Sequence, residues 1–196
     1  MKIGVLALQG DFAEHQAVLH SLGVEAREVR LPSHLEGLDG LIIPGGESTT
    51  IGKLAEAYGL IQPIRQLGAA KAIWGTCAGA IFLSRDAQRR QPLLGLMDIT
   101  VERNAFGRQV ESFETDIEVV GIEDAERPFH AIFIRAPLIV RGGPEVSVMA
   151  SLRVTDGEVP PRIVAARQGR LLATSFHPEL TGDARIHRYF LGMADA

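Results

Sequence analysis

The 196-residue chain contains one cysteine, which excludes an internal disulfide and a cysteine-only metal site. No apolar run approaches the length of a membrane span. The stretch Ile3 to Leu8 is too short for a signal segment and meets Asp11 at once, so it reads as a first strand. Basic runs are also missing. The arginines are scattered apart from Arg89-Arg90, and the formal net charge is -4, so there is no electrostatic footprint for nucleic acid. Repeats, low-complexity tracts and interdomain linkers are absent. His15, His20, His34, His130 and His187 show no metal-ligand spacing or partner pattern and read as surface or structural. No metal and no cofactor are expected.

What remains is an ordinary globular composition, 46% hydrophobic and 22% charged, enough to bury a full core in one domain over residues 1–196. A single free thiol fits a reducing, cytoplasmic setting. The first half alternates strand and helix signals. Strands are expected at Ile3–Leu8, Val24–Val29, Gly40–Ile43 and Lys71–Trp74. Helices are expected at Phe12–Leu22, from a Ser48 or Thr49 cap to Tyr58, at Ile61–Leu67 and from Ala78 to Leu83. This order predicts an α/β fold of three layers, with a mostly parallel central sheet and helices on both faces.

The second half carries short β-rich segments at Ile99–Glu102, Thr115–Val119, Ala131–Ile134, Ser147–Leu152, Ile163–Arg167 and Leu171–Ser175. Some of these supply an antiparallel extension of the sheet. A closing helix is expected at Ala184–Met193, with surface loops at Gly142-Gly143-Pro144 and Thr155–Pro161.

Gly75-Thr76-Cys77-Ala78-Gly79 sits between a strand and a helix, in the spacing of a nucleophile elbow. The glycines permit the tight turn and close helix packing. The turn exposes the sulfur at the sheet rim, the helix N-terminus favours thiolate, and the Ala78 N–H is placed to donate to an oxyanion. Ser175-Phe176-His177-Pro178-Glu179 follows another strand. In extended backbone, residues two apart face the same way, so Glu179 can orient His177 and stabilise its charged form. Cys77, His177 and Glu179 thus make a candidate nucleophile, base and orienter.

Pro44-Gly45-Gly46-Glu47-Ser48-Thr49-Thr50 ends the third strand with glycines that let the backbone approach a ligand. It lacks the pattern of a phosphate loop. If the strands are parallel, Gln9-Gly10, Gly45-Gly46, Cys77 and His177 gather at one carboxyl edge, where open α/β sheets bind ligands.

Together these motifs resemble the class I, triad-type glutamine amidotransferases. More narrowly, the chain is similar to the glutaminase subunits of pyridoxal 5'-phosphate synthase, the PdxT family. The narrower resemblance rests on Glu47-Ser48-Thr49-Thr50, on Glu102-Arg103-Asn104-Ala105-Phe106-Gly107-Arg108-Gln109 and on Phe133-Ile134-Arg135-Ala136-Pro137. It covers nearly the whole chain and implies a flavodoxin-like amidotransferase fold. It implies hydrolysis of L-glutamine to glutamate and ammonia, with substrate contacts from Gly46, Glu47, Ser48, Arg103, Ile134 and Arg135. Gly46 and Ala78 would supply the oxyanion donors. The implied partner is a (β/α)8-barrel synthase subunit that receives the ammonia through a channel, in a hetero-oligomer. The loop Thr155–Pro161 is longer than the turn usual in that family.

Rivals stay open at this level. An amidotransferase for imidazole glycerol phosphate or guanine nucleotide synthesis shares the triad but not the narrower segments. A silent regulatory subunit would not need an intact Cys77, His177 and Glu179. A DJ-1/PfpI-like fold also uses an elbow cysteine, but there a histidine commonly follows it directly, where this chain has Ala78.

Overall fold

The computed structural model describes residues 1–103, 112–152 and 162–196. Asn104 to Gln109, part of the narrower resemblance, and the loop Thr155–Pro161 lie outside the described residues.

Four short apolar segments form the centre of the fold: β1 (Lys2–Leu6), β3 (Gly40–Ile43), β4 (Ala72–Thr76) and β12 (Leu171–Thr174). Their side chains alternate between two cores, as the two-residue period of a strand requires. Leu41, Ile43 and Ile73 enter one core, while Ile42, Ala72 and Trp74 enter the other. Buried on both faces, these strands read as continuous apolar runs. With β2 (Glu25–Val29) at the edge, the order β2-β1-β3-β4-β12 is parallel throughout.

Helices cover both faces. The first core lies under α2 (Ser48–Ala57), α3 (Ile61–Gly68) and α4 (Ala78–Leu83). The second lies under α1 (Phe12–Ser21) and α5 (Arg185–Asp195), which contribute Leu19, Ile186, Phe190 and Met193.

The antiparallel extension is present. It is built from β11 (Arg162–Gln168), β9 (Leu138–Gly142), β6 (Met97–Glu102) and β10 (Ser147–Leu152), with β5 (Ser84–Asp86) parallel to β6 at the far edge. The sequence reading missed β5 and β9. Both are short, and β9 runs into Gly142, which had been assigned to a loop. A second difference is that β7 (Ser112–Ile117) and β8 (Phe129–Ile134) form their own antiparallel pair. Phe129, Ala131 and Phe133 alternate inward from β8 onto the second core. The cap of α2 also differs: Glu47 takes the N-cap position and its carboxylate accepts from Thr50 N–H at 2.6 Å. Ser48 and Thr49 are already helical.

Candidate active site

Parallel order fixes where the loops go. The carboxyl ends of β1, β3, β4 and β12 lie side by side, so the segments after Leu6, Ile43, Thr76 and Thr174 share one rim. Gly10 shows how tightly they meet. Its φ is +96°, and a Cβ there would drive into the Gly45 carbonyl.

Cys77 forms the hinge between β4 and α4. It has φ 48° and ψ -108°, a conformation that costs a residue with a Cβ about 1–3 kcal/mol. The surroundings enforce it. Cys77 N–H donates to the Thr174 carbonyl at 2.8 Å, while its own carbonyl accepts from Ala80 and Ile81 at 3.1 and 3.3 Å. Gly79 packs directly on the Ile43 carbonyl, where any Cβ would clash. The sulfur lies 3.9 Å from the Ile134 carbonyl oxygen and faces the His177 ring.

His177 hangs on two anchors. Its N–H donates to the Ile132 carbonyl at 2.9 Å, and its Nδ1 lies 2.7 Å from Glu179 Oε1. A carboxylate only accepts, so Nδ1 carries the proton and Nε2 is left for Cys77. The expected pair is therefore present, but not by the expected route. Pro178–Leu180 form a turn of 3-10 helix, and this turn rather than extended backbone brings Glu179 beneath His177.

The electrostatics are those of a buried ion pair. Burial disfavours the His177 imidazolium, but hydrogen bonds to Asp11, Cys77 and Glu179 outweigh it, and its pKa is pushed up to about 12. Glu179 is itself almost wholly buried, and burial raises its pKa against the pull of His177. Asp11 was missed in the sequence. Its Oδ2 stands 3.4 Å from His177 Nδ1, and that contact holds the Asp11 pKa below its ordinary value. The clue was its place, beside Gln9-Gly10 on the same rim. Asp11, His177 and Glu179 bring ligand atoms within 4.8 Å of one another. The Nδ1 proton, already bonded to Glu179, occupies that point.

A cavity of about 400 Å³ opens in front of Cys77. Gly46, Glu47, Ser48, Ala78, Arg103, Ile134 and Arg135 all line it, so every residue expected at the substrate site is at this cavity. Their side chains are not equally available. Glu47 pairs with Arg103 Nη2 at 2.9 Å, and Arg103 Nη1 reaches Thr49 Oγ1 at 3.1 Å. The Ser48 hydroxyl points to Gln91. Glu47 N–H donates to Gln9 Oε1 at 2.6 Å, so Gln9 braces the loop that carries Gly46. Arg135 is exposed, with φ 43°. A larger cavity, about 1000 Å³, lies between β7 and β10, but no cysteine or histidine lines it among the described residues.

The sequence reads His15 and His187 as surface or structural. Both are fully buried, His15 behind Glu179 with its Nε2 3.4 Å from Glu179 Oε2, and His187 behind His15. The available signal was the four-residue step from Asp11 to His15, one helical turn.

Residues 5–196 match the model of the SNO glutamine amidotransferase family. A pyridoxal 5'-phosphate synthase subunit PdxT from Herpetosiphon aurantiacus is 59% identical, covering 98% of this chain and 100% of that protein. One of the same name from Pelotomaculum thermopropionicum is 58% identical, covering 97% and 94%. A solved structure described as a glutamine amidotransferase superposes with a TM-score of 0.89 at 54% identity, covering 99% of both chains. The chain belongs to the SNO glutamine amidotransferase family.

Proposed function

We propose that this member of the family is the glutaminase subunit of a pyridoxal 5'-phosphate synthase, hydrolysing L-glutamine to L-glutamate and ammonia with Cys77, His177 and Glu179. The observation that carries the reading is Cys77 on a strained elbow, facing a His177 whose Nδ1 is held 2.7 Å from Glu179. Identity of 58–59% to PdxT proteins over nearly the whole chain supports the pathway.

The residues act in sequence. The Cys77 sulfur attacks the side-chain carboxamide carbon. N–H groups of Ala78 and Gly46 receive the oxyanion. Part of the His177 proton affinity comes from Cys77. Once the sulfur is consumed in the tetrahedral adduct that support is lost, so the proton passes from Nε2 to the departing nitrogen and ammonia leaves. A thioester remains on Cys77. The neutral ring then takes a proton from water, hydroxide adds to the thioester, and glutamate departs as Cys77 regains its proton pair with His177. Glu179 stays ionised and holds the ring throughout. Gly46, Glu47, Ser48, Arg103, Ile134 and Arg135 form the wall that receives the amino-acid end of glutamine. A guanidinium there suits its carboxylate and a carboxylate its ammonium.

Ammonia protonated in bulk water is lost as a nucleophile, so the reading includes a synthase partner, a (β/α)8-barrel subunit docked over this rim, with the ammonia passed through a channel. The described helices include none long and apolar enough to cross a membrane. A free catalytic thiol supports a reducing, cytoplasmic setting.

Ammonia release from glutamine, with and without the barrel synthase, tests the reading. Stimulation by the synthase, abolished in Cys77→Ala, is expected. Stimulation only by a synthase of another pathway would overturn the assignment.

A further inference from the structure

The buried Glu179 carboxylate turns one oxygen to His177 and the other to α1. Oε1 is committed to His177. Oε2 is fully buried and has no hydrogen bond of good geometry among the described residues. A buried carboxylate without donors on one oxygen is costly. The polar atom facing it is His15 Nε2, at 3.4 Å, on a side chain with no solvent exposure. His15 Nε2 also lies 3.3 Å from the hydroxyl of Thr76, the residue before the nucleophile. His15 Nδ1 lies 3.0 Å from His187 Nε2. Trp74 closes the chamber, its ring nearly perpendicular to both imidazoles at 5.4 and 4.9 Å.

Burial keeps both rings neutral, lowering the pKa of His15 well below the usual range and that of His187 to about 4. Two neutral rings in contact share one proton between the facing nitrogens, which leaves two arrangements. In one, His15 turns a lone pair toward the Glu179 carboxylate and His187 buries an unpartnered Nδ1–H. In the other, His187 Nε2–H donates to His15 Nδ1, and His15 Nε2–H faces both the Thr76 hydroxyl at 3.3 Å and Glu179 Oε2 at 3.4 Å. The unpartnered His187 Nδ1 is then only a lone pair, cheaper to leave unpaired than a donor. Only the second arrangement gives His15 a proton on the side of Thr76 and the Glu179 carboxylate.

We propose that His15 is a positioning residue for the glutaminase reaction, holding Glu179 ionised and aligned through Nε2–H, with its tautomer set by His187. The proposal rests on Glu179 orienting His177. The titratable groups around Glu179 are His15 from α1, Asp11 from the loop before it, His177 and Cys77 at the site, and, behind His15, His187 from α5. Without the His15 donor, burial raises the Glu179 pKa unopposed on that side. Glu179 then takes a proton at higher pH, and His177 loses its partner.

The test is the pH dependence of kcat and KM in the assembled synthase complex, for His15→Phe, His15→Gln and His15→Asn. Glutamine carries its amide nitrogen where Nε2 stands, and asparagine where Nδ1 stands. Phe and Asn are expected to lower kcat about tenfold to a hundredfold, the range of a charge-assisted hydrogen bond, and to move the acidic limb to higher pH, with KM little changed. Gln is expected to recover most of kcat and the original limb. If the Phe variant does not fold, the Gln and Asn pair decides. Identical pH profiles for those two, or losses of kcat without movement of the limb, would overturn the proposal. Glu179→Gln is the control: wild-type activity there would sink the triad reading and the role of His15 with it, whereas a dead Glu179→Gln beside unshifted His15 variants would sink the role of His15 alone.

Discussion

Glu47 and Arg103 meet at 2.9 Å across the mouth of the cavity in front of Cys77, joining the start of α2 to the end of β6. The same carboxylate caps α2 through Thr50. Burial opposes its charge, but hydrogen bonds from Thr50, Thr49 and Arg103 prevail and lower its pKa to about 2. One residue thus sets both a helix start and the rim of a pocket.

Arg103→Ala is expected to raise KM for glutamine more than it lowers kcat, because the rim loosens while the triad stays in place. The Glu47 side chain is 45% exposed, so solvent screens the pair, and loss of stability from Arg103→Ala should stay below about 1 kcal/mol. Glu47→Ala removes the cap as well and should cost about 1 kcal/mol more. Steady-state kinetics and urea unfolding measure both. A kcat collapse with unchanged KM in Arg103→Ala would place the arginine in the chemistry instead.

Asp11 adds a second carboxylate at His177 Nδ1, 3.4 Å away. His177 holds its proton up to about 12, so the stability this gives is complete below about pH 6.5 and is lost as pH rises toward that value. Asp11→Asn removes the first of the contacts that raise it. The alkaline limb of kcat/KM should move to lower pH, and alkaline unfolding should begin earlier. An unmoved alkaline limb would show that Glu179 alone sets the ring.

The parallel half of the fold was legible because its strands are buried on both faces and its helices end at glycines such as Gly23. Cys77, with its flanking Gly75 and Gly79, carried the site for the same reason, since an elbow needs those residues locally. The separate β7–β8 pair was not legible. An alternating strand such as Phe129-His130-Ala131-Ile132-Phe133 shows which face is buried but not which sheet it joins. Nor were Asp11 and His15, whose roles depend on a residue more than 160 positions away, brought near only by the crossing of α1 with the turn at Pro178–Leu180.

His187 gives the opposite pH signature to His177. Its folded pKa is lowered to about 4 by burial, so the folded state binds fewer protons than the unfolded one between that value and about 6.5. Stability from this group is full above about pH 6.5 and drains as pH falls toward 4, by roughly 3 kcal/mol at most. The carboxylates of Asp11 and Asp183, held below their ordinary values, add to the acid loss at lower pH. His187→Gln keeps a donor toward His15 but cannot titrate. Its Tm should fall less than that of the wild type between pH 6.5 and 4.5. Parallel Tm curves would assign the acid loss elsewhere.

The elbow itself predicts a trade of stability against activity. Cys77 is held at φ 48° and ψ -108° by the Thr174, Ala80 and Ile81 hydrogen bonds and by the contact of Gly79 with Ile43. Cys77→Ala removes the sulfur but keeps the Cβ, so it keeps the strain. Cys77→Gly removes both. Relief of about 1–3 kcal/mol is opposed by the greater entropy that glycine loses on folding, about 0.5–1 kcal/mol. Both variants should be inactive, with Cys77→Gly the more stable by about 1 kcal/mol in urea unfolding. If Cys77→Ala proved more stable than Cys77→Gly by about 0.5–1 kcal/mol, the entropy cost of glycine alone, the elbow would hold no strain, and the glycines around it would serve close packing alone.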